Sequence, residues 1–259
     1  MLNAFFKDLR QVRRLGPGYA LRHLDRLRGA ERASIQVKGV GPIHVRLEDS
    51  DADVIRQVFD KREYDLRRFP QFQRIEAAYE RMLQAGQTPL VVDAGANIGL
   101  TSMWFSRMFP KARVLAVEPD PANLEICRLN VARYDNVQVV DAAIGAQSGR
   151  VDLENPEGRS FSVRTRRSDD GAVPVVTVDD LRALVDGPTG LLVVKVDIEG
   201  FEADLFAGDV SWLDDTEVLI VEPHDWMLPG ARSSRSLQKA LFARDFEMLI
   251  RGESLIFVR

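Results

Sequence analysis

Residues 91–99 read VVDAGANIG, an apolar run that contains an acid and leads into a loop with two glycines. Glu118 ends a second apolar run, 19 residues after Gly99. In an open parallel sheet, a glycine-rich turn after the first strand lets a ligand approach the backbone, and an acid after the second strand can hold two ribose hydroxyls. This spacing predicts a site for a cofactor that contains a nucleoside.

The loop residues favour one class of nucleoside cofactor over another. Dinucleotide sites prefer G-x-G-x-x-G, whose second glycine lets a pyrophosphate contact the helix end, and here Asn97 occupies that place. Asp93 would repel a pyrophosphate but attract the ammonium and sulfonium of S-adenosylmethionine (SAM). The SAM carboxylate could then contact the helix N-terminus near Leu100 and Thr101. SAM is the expected cofactor, and an NAD-dependent oxidoreductase is the alternative, although the chain contains no Tyr-x-x-x-Lys pair.

A second group of candidate residues follows two later apolar runs. Asp197 and Glu199 follow the run LLVVKV, and His224 follows EVLIV. The ordinary pKa of histidine, about 6.5, suits a general base near neutral pH. Asp197 is the competing base, and Asp225 could orient the imidazole. Lys195 would share a side with Asp197 and Glu199 if the strand continued, and a structural ion pair between Lys195 and Glu199 is the alternative to a catalytic role.

The donors at these strand ends could also hold a divalent cation. Carboxylates and imidazole suit Mg²⁺ or Mn²⁺, but no spacing in this chain is diagnostic, so no metal is predicted. The single cysteine, Cys127, excludes a Cys-rich metal site and an intrachain disulfide framework. The possible donors are Asp197, Glu199, Glu222, His224 and Asp225.

Strands and helices must alternate from residue 89 onward to position these residues. The strands are continuous apolar runs, which predicts a parallel sheet covered by helices on both faces. Residues 246–259 predict a tight hairpin around Gly252. Residues 146–180 predict a β-rich insertion near the mouth of the site. We therefore expect a methyl-donor-binding domain over residues 86–259. An extension over residues 1–85 precedes it. The extension should contain a hairpin at residues 34–48 with helices before and after it, including helices at 51–69 and 74–86.

Composition and charge restrict the class of protein and its partners. The 259 residues are 45% hydrophobic and 29% charged, which excludes a disordered or fibrous chain. A net charge of −4 argues against nucleic acid as a partner. No apolar run approaches the ~20 residues of a membrane span, and the N-terminus lacks the apolar segment of a signal peptide, so a cytoplasmic location is expected.

The N-terminal segment departs from this overall charge. Residues 1–33 carry eight Lys/Arg and three Asp/Glu, a net of +5. Apolar residues fall at helical spacing within residues 2–12. We expect a helix that packs on the domain or on a partner, and a helix that rests on anionic lipid is the alternative. The oligomeric state is not predicted.

Four segments resemble the FkbM family of SAM-dependent methyltransferases in their residues, their order and their spacing along the chain: VVDAGANIG, AVEPDPANL, VKVDIEGFE and VEPHDW. The resemblance covers roughly residues 45–259. It implies a class I SAM-methyltransferase fold, an α/β Rossmann-like sheet of seven strands whose last strand is antiparallel. It also implies methyl transfer to a hydroxyl oxygen of a sugar, glycan or polyketide-type acceptor. A module that binds SAM without turnover is the remaining alternative.

The resemblance also implies a role for each matched position. Asp93 would act near the amino group of SAM, and Glu118 would accept hydrogen bonds from the ribose. Asp197 and Glu199 would face the transferring methyl group. The remaining positions would contact the cofactor: Gly95, Asn97 and Gly99 at the methionine end, Pro119 and Asp120 beside the adenine, and Asp141 and Ala142 at the adenine edge.

Overall fold

The computed structural model describes residues 11–154, 164–227 and 229–259. The extension begins with two helices and a hairpin: α1 (Val12–Leu15), α2 (Pro17–Leu27), β1 (Arg32–Val37) and β2 (Gly41–Arg46). It continues through α3 (Asp51–Ile55), a π-helical turn (Arg56–Lys61), a 3₁₀ turn (Leu66–Arg68) and α4 (Phe72–Gln84). The expected hairpin is present as the antiparallel pair β1–β2. The expected helix at residues 2–12 lies almost entirely outside the described residues.

The single helix expected over residues 51–69 is wrong, because the structure divides it into three short helical segments. Arg62 adopts a left-handed backbone conformation (φ 55°), which ends the π-helical turn. Glu63, Tyr64 and Asp65 follow as buried residues. Packing of this segment against the rest of the molecule therefore overrides its local helical pattern.

From residue 88 the chain alternates between strands and helices. The first half contains β3 (Thr88–Ala94), α5 (Leu100–Met108), β4 (Arg113–Glu118), α6 (Pro121–Val131) and β5 (Val137–Asp141). Four short strands and a helix follow: β6 (Ala143–Ile144), β7 (Gly149–Glu154), β8 (Arg164–Arg167), β9 (Val173–Val176) and α7 (Val178–Arg182). The last part contains β10 (Thr189–Val196), α8 (Glu202–Leu205), a 3₁₀ turn (Ser211–Asp215), β11 (Thr216–Val221), α9 (Arg235–Phe242), β12 (Glu247–Arg251) and β13 (Ser254–Val258).

The main sheet has seven strands in the order β12-β13-β11-β10-β3-β4-β5. All neighbouring pairs are parallel except those that involve β13, which runs antiparallel to both β11 and β12. The expected class I sheet with an antiparallel last strand is confirmed. Strand order reverses between β3 and β10, so the carboxyl ends of these two strands border the crevice in which such sheets bind ligands.

Both faces of this sheet are covered. Val91 and Val92 are each fully buried, and they belong to two different apolar clusters because successive side chains of a strand point to opposite faces. Full burial of each such side chain contributes roughly 1.5–3 kcal/mol. The two-sided core explains why the strands read as uninterrupted apolar runs.

The predicted β-rich segment contains the strands β7, β8 and β9. With β6 they form a four-stranded sheet in the order β6-β9-β7-β8. The residues that connect β7 to β8, 155–163, lie outside the described part of the chain. Within the described ranges, none of the helices combines the length and the apolar character that crossing a membrane requires.

Candidate active site

The turn between β3 and α5 is built from three residues in left-handed backbone conformations. Gly95, Asn97 and Gly99 have φ values of 75°, 50° and 82°. Glycine adopts this region freely, and asparagine tolerates it better than most residues. The backbone amides of Gly95 and Ala96 both donate to the carbonyl of Val117, at 3.0 Å each. The turn is therefore fixed against the end of β4.

Glu118 organises the same turn from the end of β4. Its carboxylate accepts hydrogen bonds from the backbone amides of Asn97 (2.8 Å) and Asp120 (3.0 Å) and from the side-chain amide of Asn123 (3.2 Å). Burial raises the pKa of Glu118 to about 7, although these hydrogen bonds favour the charged form. The two oxygens of a carboxylate have about four lone-pair sites, so Glu118 can still accept a hydrogen bond from a further donor.

A cleft opens beside this turn, and we call it the loop cleft. Two buried polar atoms on its lining residues, Oδ1 of Asn97 and Oγ1 of Thr165, have no hydrogen-bond partner within the described structure. Buried polar atoms are normally satisfied, so these two suit a polar ligand. Its lining residues are Gly95, Asn97, Val117, Glu118, Pro119, Asn123, Ala142, Ala143, Ile144, Thr165, Asp197, Ile198, Glu199 and Phe201.

Lys195 ties the end of β10 to the glycine turn. The strand register places Lys195 opposite Asp93. Its ammonium donates to the carbonyl of Gly95 at 2.8 Å and lies 3.3 Å from Asp197 and 3.4 Å from Asp93. Burial opposes the charge of Lys195, but the carboxylates of Asp197 and Asp93 outweigh it and raise its pKa. Lys195 therefore stays charged and holds Asp197 in place.

His224 lies just after β11 and is only 2% exposed. Nδ1 of its ring is 2.8 Å from Oε1 of Glu202, while Nε2 is 3.7 Å from Asp197 and 3.6 Å from Glu199. Burial opposes the imidazolium, but the hydrogen bond and charge of Glu202, together with Asp197 and Glu199, raise the pKa of His224 to about 9. One ring nitrogen is thus occupied, and the other faces two carboxylates.

Two acids near His224, Glu199 and Glu222, have raised pKa values. Burial, and then the charge of Asp197, raises the pKa of Glu199 to about 8 and also raises that of Glu222. Asp197, Glu199 and His224 also offer three ligand atoms that lie within 4.8 Å of one another. This donor set could hold a divalent cation, and the bond from Nδ1 to Glu202 is the kind of outer contact that orients metal-bound histidines.

A second cleft, of about 980 Å³, lies between the extension and the carboxyl ends of the strands. We call it the acidic cleft, because six of its lining residues are carboxylates and two are lysines. It shares Gly95, Asn97, Asp197 and Glu199 with the loop cleft. Its other lining residues are Ser50, Asp53, Val54, Gln57, Lys61, Glu63, Tyr64, Ala96, Thr101, Lys195, Glu222 and Glu253.

A family model described as the methyltransferase FkbM domain matches residues 93–247, which is 155 of the 259 residues. The chain belongs to the FkbM methyltransferase family. The predicted membership is thereby confirmed, and it agrees with the class I sheet order and with the glycine turn at the crevice.

Two named relatives and one solved structure match parts of this FkbM-family chain. The 2-O-methyltransferase NoeI of Sinorhizobium fredii is 28% identical over 156 residues, which cover 53% of this chain and 64% of NoeI. The hexuronic acid methyltransferase AglP of Haloferax volcanii is 25% identical over 178 residues, 68% of this chain and 72% of AglP. The crystal structure of a methyltransferase FkbM from Methylobacillus flagellatus has a TM-score of 0.45 at 20% identity, over 66% of this chain and 44% of that chain. The chain thus matches less than two thirds of the length of NoeI and of that structure.

Most of the residues predicted from the FkbM resemblance meet at the two clefts. The sequence predicted seven of the residues that line the loop cleft, and Thr101 lines the acidic cleft. His224 lines neither cleft but faces Asp197 and Glu199, which line both. The seven are Gly95, Asn97, Glu118, Pro119, Ala142, Asp197 and Glu199.

Other predicted positions serve the protein's own packing. Asp93 is fully buried, accepts a 2.6 Å hydrogen bond from Ser102 and lines neither cleft, and its action near the amino group of SAM, directly or through water, stays a prediction. A Cβ on Gly99 would lie 2.8 Å from Sγ of Cys127, so this glycine permits helix packing. Asp120 caps α6 through a 2.9 Å bond from the amide of Asn123. Exposed Asp141 pairs with Arg128 at 3.2 Å.

Two expectations about side-chain pairing are also wrong. Asp225 does not orient His224, because its carboxylate accepts hydrogen bonds from Ser233 and Ser234. The ion pair between Lys195 and Glu199, which was the alternative to a catalytic role, is not found among the described residues, where Lys195 pairs with Asp93 and Asp197 and β10 ends at Val196. Glu202 was missed as the orienting carboxylate, although it lies within the recognised segment VKVDIEGFE.

Proposed function

We propose that this chain is a SAM-dependent O-methyltransferase that acts on a hydroxyl group of a sugar, glycan or polyketide-type acceptor. The observation that carries the proposal is the junction of the loop cleft and the acidic cleft at Gly95, Asn97, Asp197 and Glu199. A cofactor in one cleft and an acceptor in the other would meet at these residues. Holding two reactants in such an arrangement is a large part of the acceleration of a transfer reaction.

The loop cleft suits the nucleoside and amino-acid parts of SAM. Glu118 would accept hydrogen bonds from the ribose hydroxyls, and the apolar residues Ala142 and Ile144 would contact the base. The unpartnered Oδ1 of Asn97 would accept from the amino group at the methionine end. SAM, when bound, supplies an electrophilic methyl group on a sulfonium.

The residues at the junction handle the hydroxyl proton. Nε2 of neutral His224 would accept the proton as the acceptor oxygen forms its bond to the methyl carbon and the bond from carbon to sulfur breaks. Glu202 would hold the ring by Nδ1 and stabilise the imidazolium that results. Lys195 would fix Asp197 at the junction. The products are the methyl ether, S-adenosylhomocysteine and a protonated histidine, so charge and atoms balance.

The names of the relatives support an oxygen acceptor. NoeI is named a 2-O-methyltransferase, and AglP is named a hexuronic acid methyltransferase. The acidic cleft of this chain carries six carboxylates against two lysines, and both lysines already face acids. Even with Glu199 and Glu222 neutral because of their raised pKa values, the other four carboxylates outnumber the two lysines, so a neutral or amine-bearing acceptor would bind more favourably than a uronic acid.

The test is transfer from methyl-labelled SAM to a panel of neutral sugars, amino sugars, uronic acids and hydroxylated polyketides. We expect S-adenosylhomocysteine to appear only with a hydroxylated acceptor, faster with neutral or amino sugars than with uronic acids. His224→Ala provides the matched control, since it removes the proton acceptor and leaves the loop cleft intact. Tight binding of SAM with no product from any acceptor would favour the non-catalytic module.

A further inference from the structure

A third cleft, of about 910 Å³, lies between the extension and α5, apart from the two clefts at the strand ends. Five of its lining side chains are cationic and none is acidic: Arg14, Lys38, Arg62, Arg67 and Arg107. We call it the basic cleft. Cavities between structural units are common positions for ligand sites.

The charge of the basic cleft is not a simple consequence of the arginine content of the chain. The chain as a whole carries a net charge of −4. A further cleft is lined by the three arginines Arg81, Arg182 and Arg259, but three acids line it as well, Asp214, Asp215 and Glu217. Arginines and acids therefore line one cleft together, whereas the lining of the basic cleft contains cations without acids.

At least three of the five cations are available to a ligand. Arg14 pairs with Asp60 at 3.1 Å and Arg67 with Asp65 at 2.7 Å. Lys38 and Arg62 are exposed and form no ion pair with any of the described residues. Arg107 donates to the backbone carbonyl of Gly39, which leaves its positive charge unneutralised.

An aromatic wall holds the basic cleft in shape. The indole N–H of Trp104 donates to the carbonyl of Tyr64 at 3.0 Å, and its ring lies 6.0 Å from the ring of Phe59. The guanidinium of Arg67 lies over the Trp104 ring at 5.6 Å. A fixed apolar wall beside cations displaces water, which strengthens their attraction for an anion.

We propose that the basic cleft binds a phosphate group, with Lys38, Arg62 and Arg107 as the principal contacts. Guanidinium groups match phosphate oxygens in a bidentate manner, and an ammonium adds a point charge. The phosphate belongs either to a soluble compound or to the headgroup of an anionic lipid. The site is independent of the methyl-transfer proposal, since the segment over residues 57–67 separates it from the acidic cleft.

Two binding measurements on the full chain at low ionic strength distinguish these sources. Calorimetry with inorganic pyrophosphate measures affinity for a soluble phosphate compound. Co-sedimentation with vesicles of phosphatidylglycerol, against vesicles of phosphatidylcholine, measures affinity for an anionic headgroup. Binding of pyrophosphate alone indicates a soluble ligand, whereas binding of phosphatidylglycerol vesicles that pyrophosphate displaces indicates the lipid.

The double variant Lys38→Gln/Arg62→Gln tests the assignment of residues. We expect about a tenfold or greater loss of affinity for whichever probe binds, because hydrogen bonds to charged groups are the strong ones. Both residues are exposed, so the fold should be unaffected. The matched control is Arg235→Gln/Lys239→Gln on α9, which removes the same charge elsewhere and should bind as the unaltered chain does. Failure of both probes to bind, or equal loss in both double variants, would overturn the proposal.

Discussion

Nδ1 of His224 lies 2.8 Å from Oε1 of Glu202, and the two residues are 2% and 1% exposed. The backbone amide of Gly200 donates to the same Glu202 oxygen at 3.2 Å. A buried carboxylate held in this way fixes the imidazole ring and favours its charged form. Nε2 is then the ring nitrogen that faces Asp197 and Glu199.

The proton-acceptor role of His224 predicts a specific pH dependence. The neutral ring is the base, and Glu202 helps to raise its pKa to about 9. We therefore expect the single-turnover rate of methyl transfer to rise about tenfold per pH unit below pH 9 and to level off above it. In Glu202→Gln the carboxylate charge is lost while an acceptor for Nδ1–H remains, so the rise should move to lower pH.

His224→Ala is the companion variant for that measurement. We expect turnover to fall roughly 10²-fold or more and the affinity for S-adenosylhomocysteine to change little, because His224 does not line the loop cleft. A near-normal rate in His224→Ala would reject the histidine and leave Asp197 as the base. Asp197→Asn would then be the variant that loses the rate.

The same cluster yields a prediction about metals. Asp197, Glu199 and His224 could hold a divalent cation, but a ligated Nε2 cannot accept a proton. If His224 is the base, dialysis against EDTA should leave the rate unchanged, and added Mg²⁺ or Mn²⁺ should not increase it. Loss of turnover in EDTA with recovery in Mn²⁺ would instead assign the three side chains to a metal site.

The raised pKa of Glu118 predicts that cofactor affinity depends on pH. Burial raises this pKa from 4.5 to about 7, so the carboxyl is mostly neutral at pH 6 and mostly charged at pH 8. The charged form is the better acceptor for ribose hydroxyls, so S-adenosylhomocysteine should bind more tightly as pH rises through 7. Glu118→Gln should bind more weakly and with this pH dependence removed. An identical pH dependence in both proteins would place its origin elsewhere.

Gly95 is required for the packing of the protein itself, and ligand binding depends on that packing. A Cβ at this position would lie 1.7 Å from the carbonyl oxygen of Asp197, so the two loops that form the junction could not pack as they do. Gly95→Ala should lower the melting temperature and weaken S-adenosylhomocysteine binding together.

Gly187→Ala is the matched control for Gly95→Ala. The φ values of the two glycines are similar, 80° and 75°, but a Cβ on Gly187 meets no atom within 4 Å. Both variants lose the left-handed freedom of glycine, whereas only Gly95→Ala adds overpacking, which typically costs about 1–3 kcal/mol. Equal melting temperatures for the two variants would contradict the close packing of Gly95 on Asp197.

The sequence was sufficient to predict the main sheet because the same apolar pattern occurs in several strands. Continuous apolar runs such as residues 89–92 and 191–194 indicate burial on both faces, and Gly95, Asn97 and Gly99 indicate left-handed turns. The prediction of one helix over residues 51–69 was wrong because a helical pattern does not show that Glu63, Tyr64 and Asp65 are buried against other elements. Tertiary contacts that break a helix leave no local trace.

The side-chain partners within the site were the least predictable part. Asp225 adjoins His224 in sequence, yet Glu202, 22 residues earlier, is the one that contacts it, because the turn after β10 brings α8 beside the end of β11. The partners of Asp93 were likewise not visible in the sequence, because Ser102 lies on α5 and Lys195 on β10, and both contact its buried carboxylate.

The most direct test of a SAM site in the loop cleft is calorimetric titration of the chain with S-adenosylhomocysteine and, separately, with NAD. We expect one binding site for S-adenosylhomocysteine, no measurable binding of NAD, and about a tenfold or greater loss of affinity in Glu118→Ala, because the ribose loses a charged hydrogen-bond acceptor. Binding of NAD without S-adenosylhomocysteine, or an affinity that Glu118→Ala leaves unchanged, would contradict the assignment of this cleft.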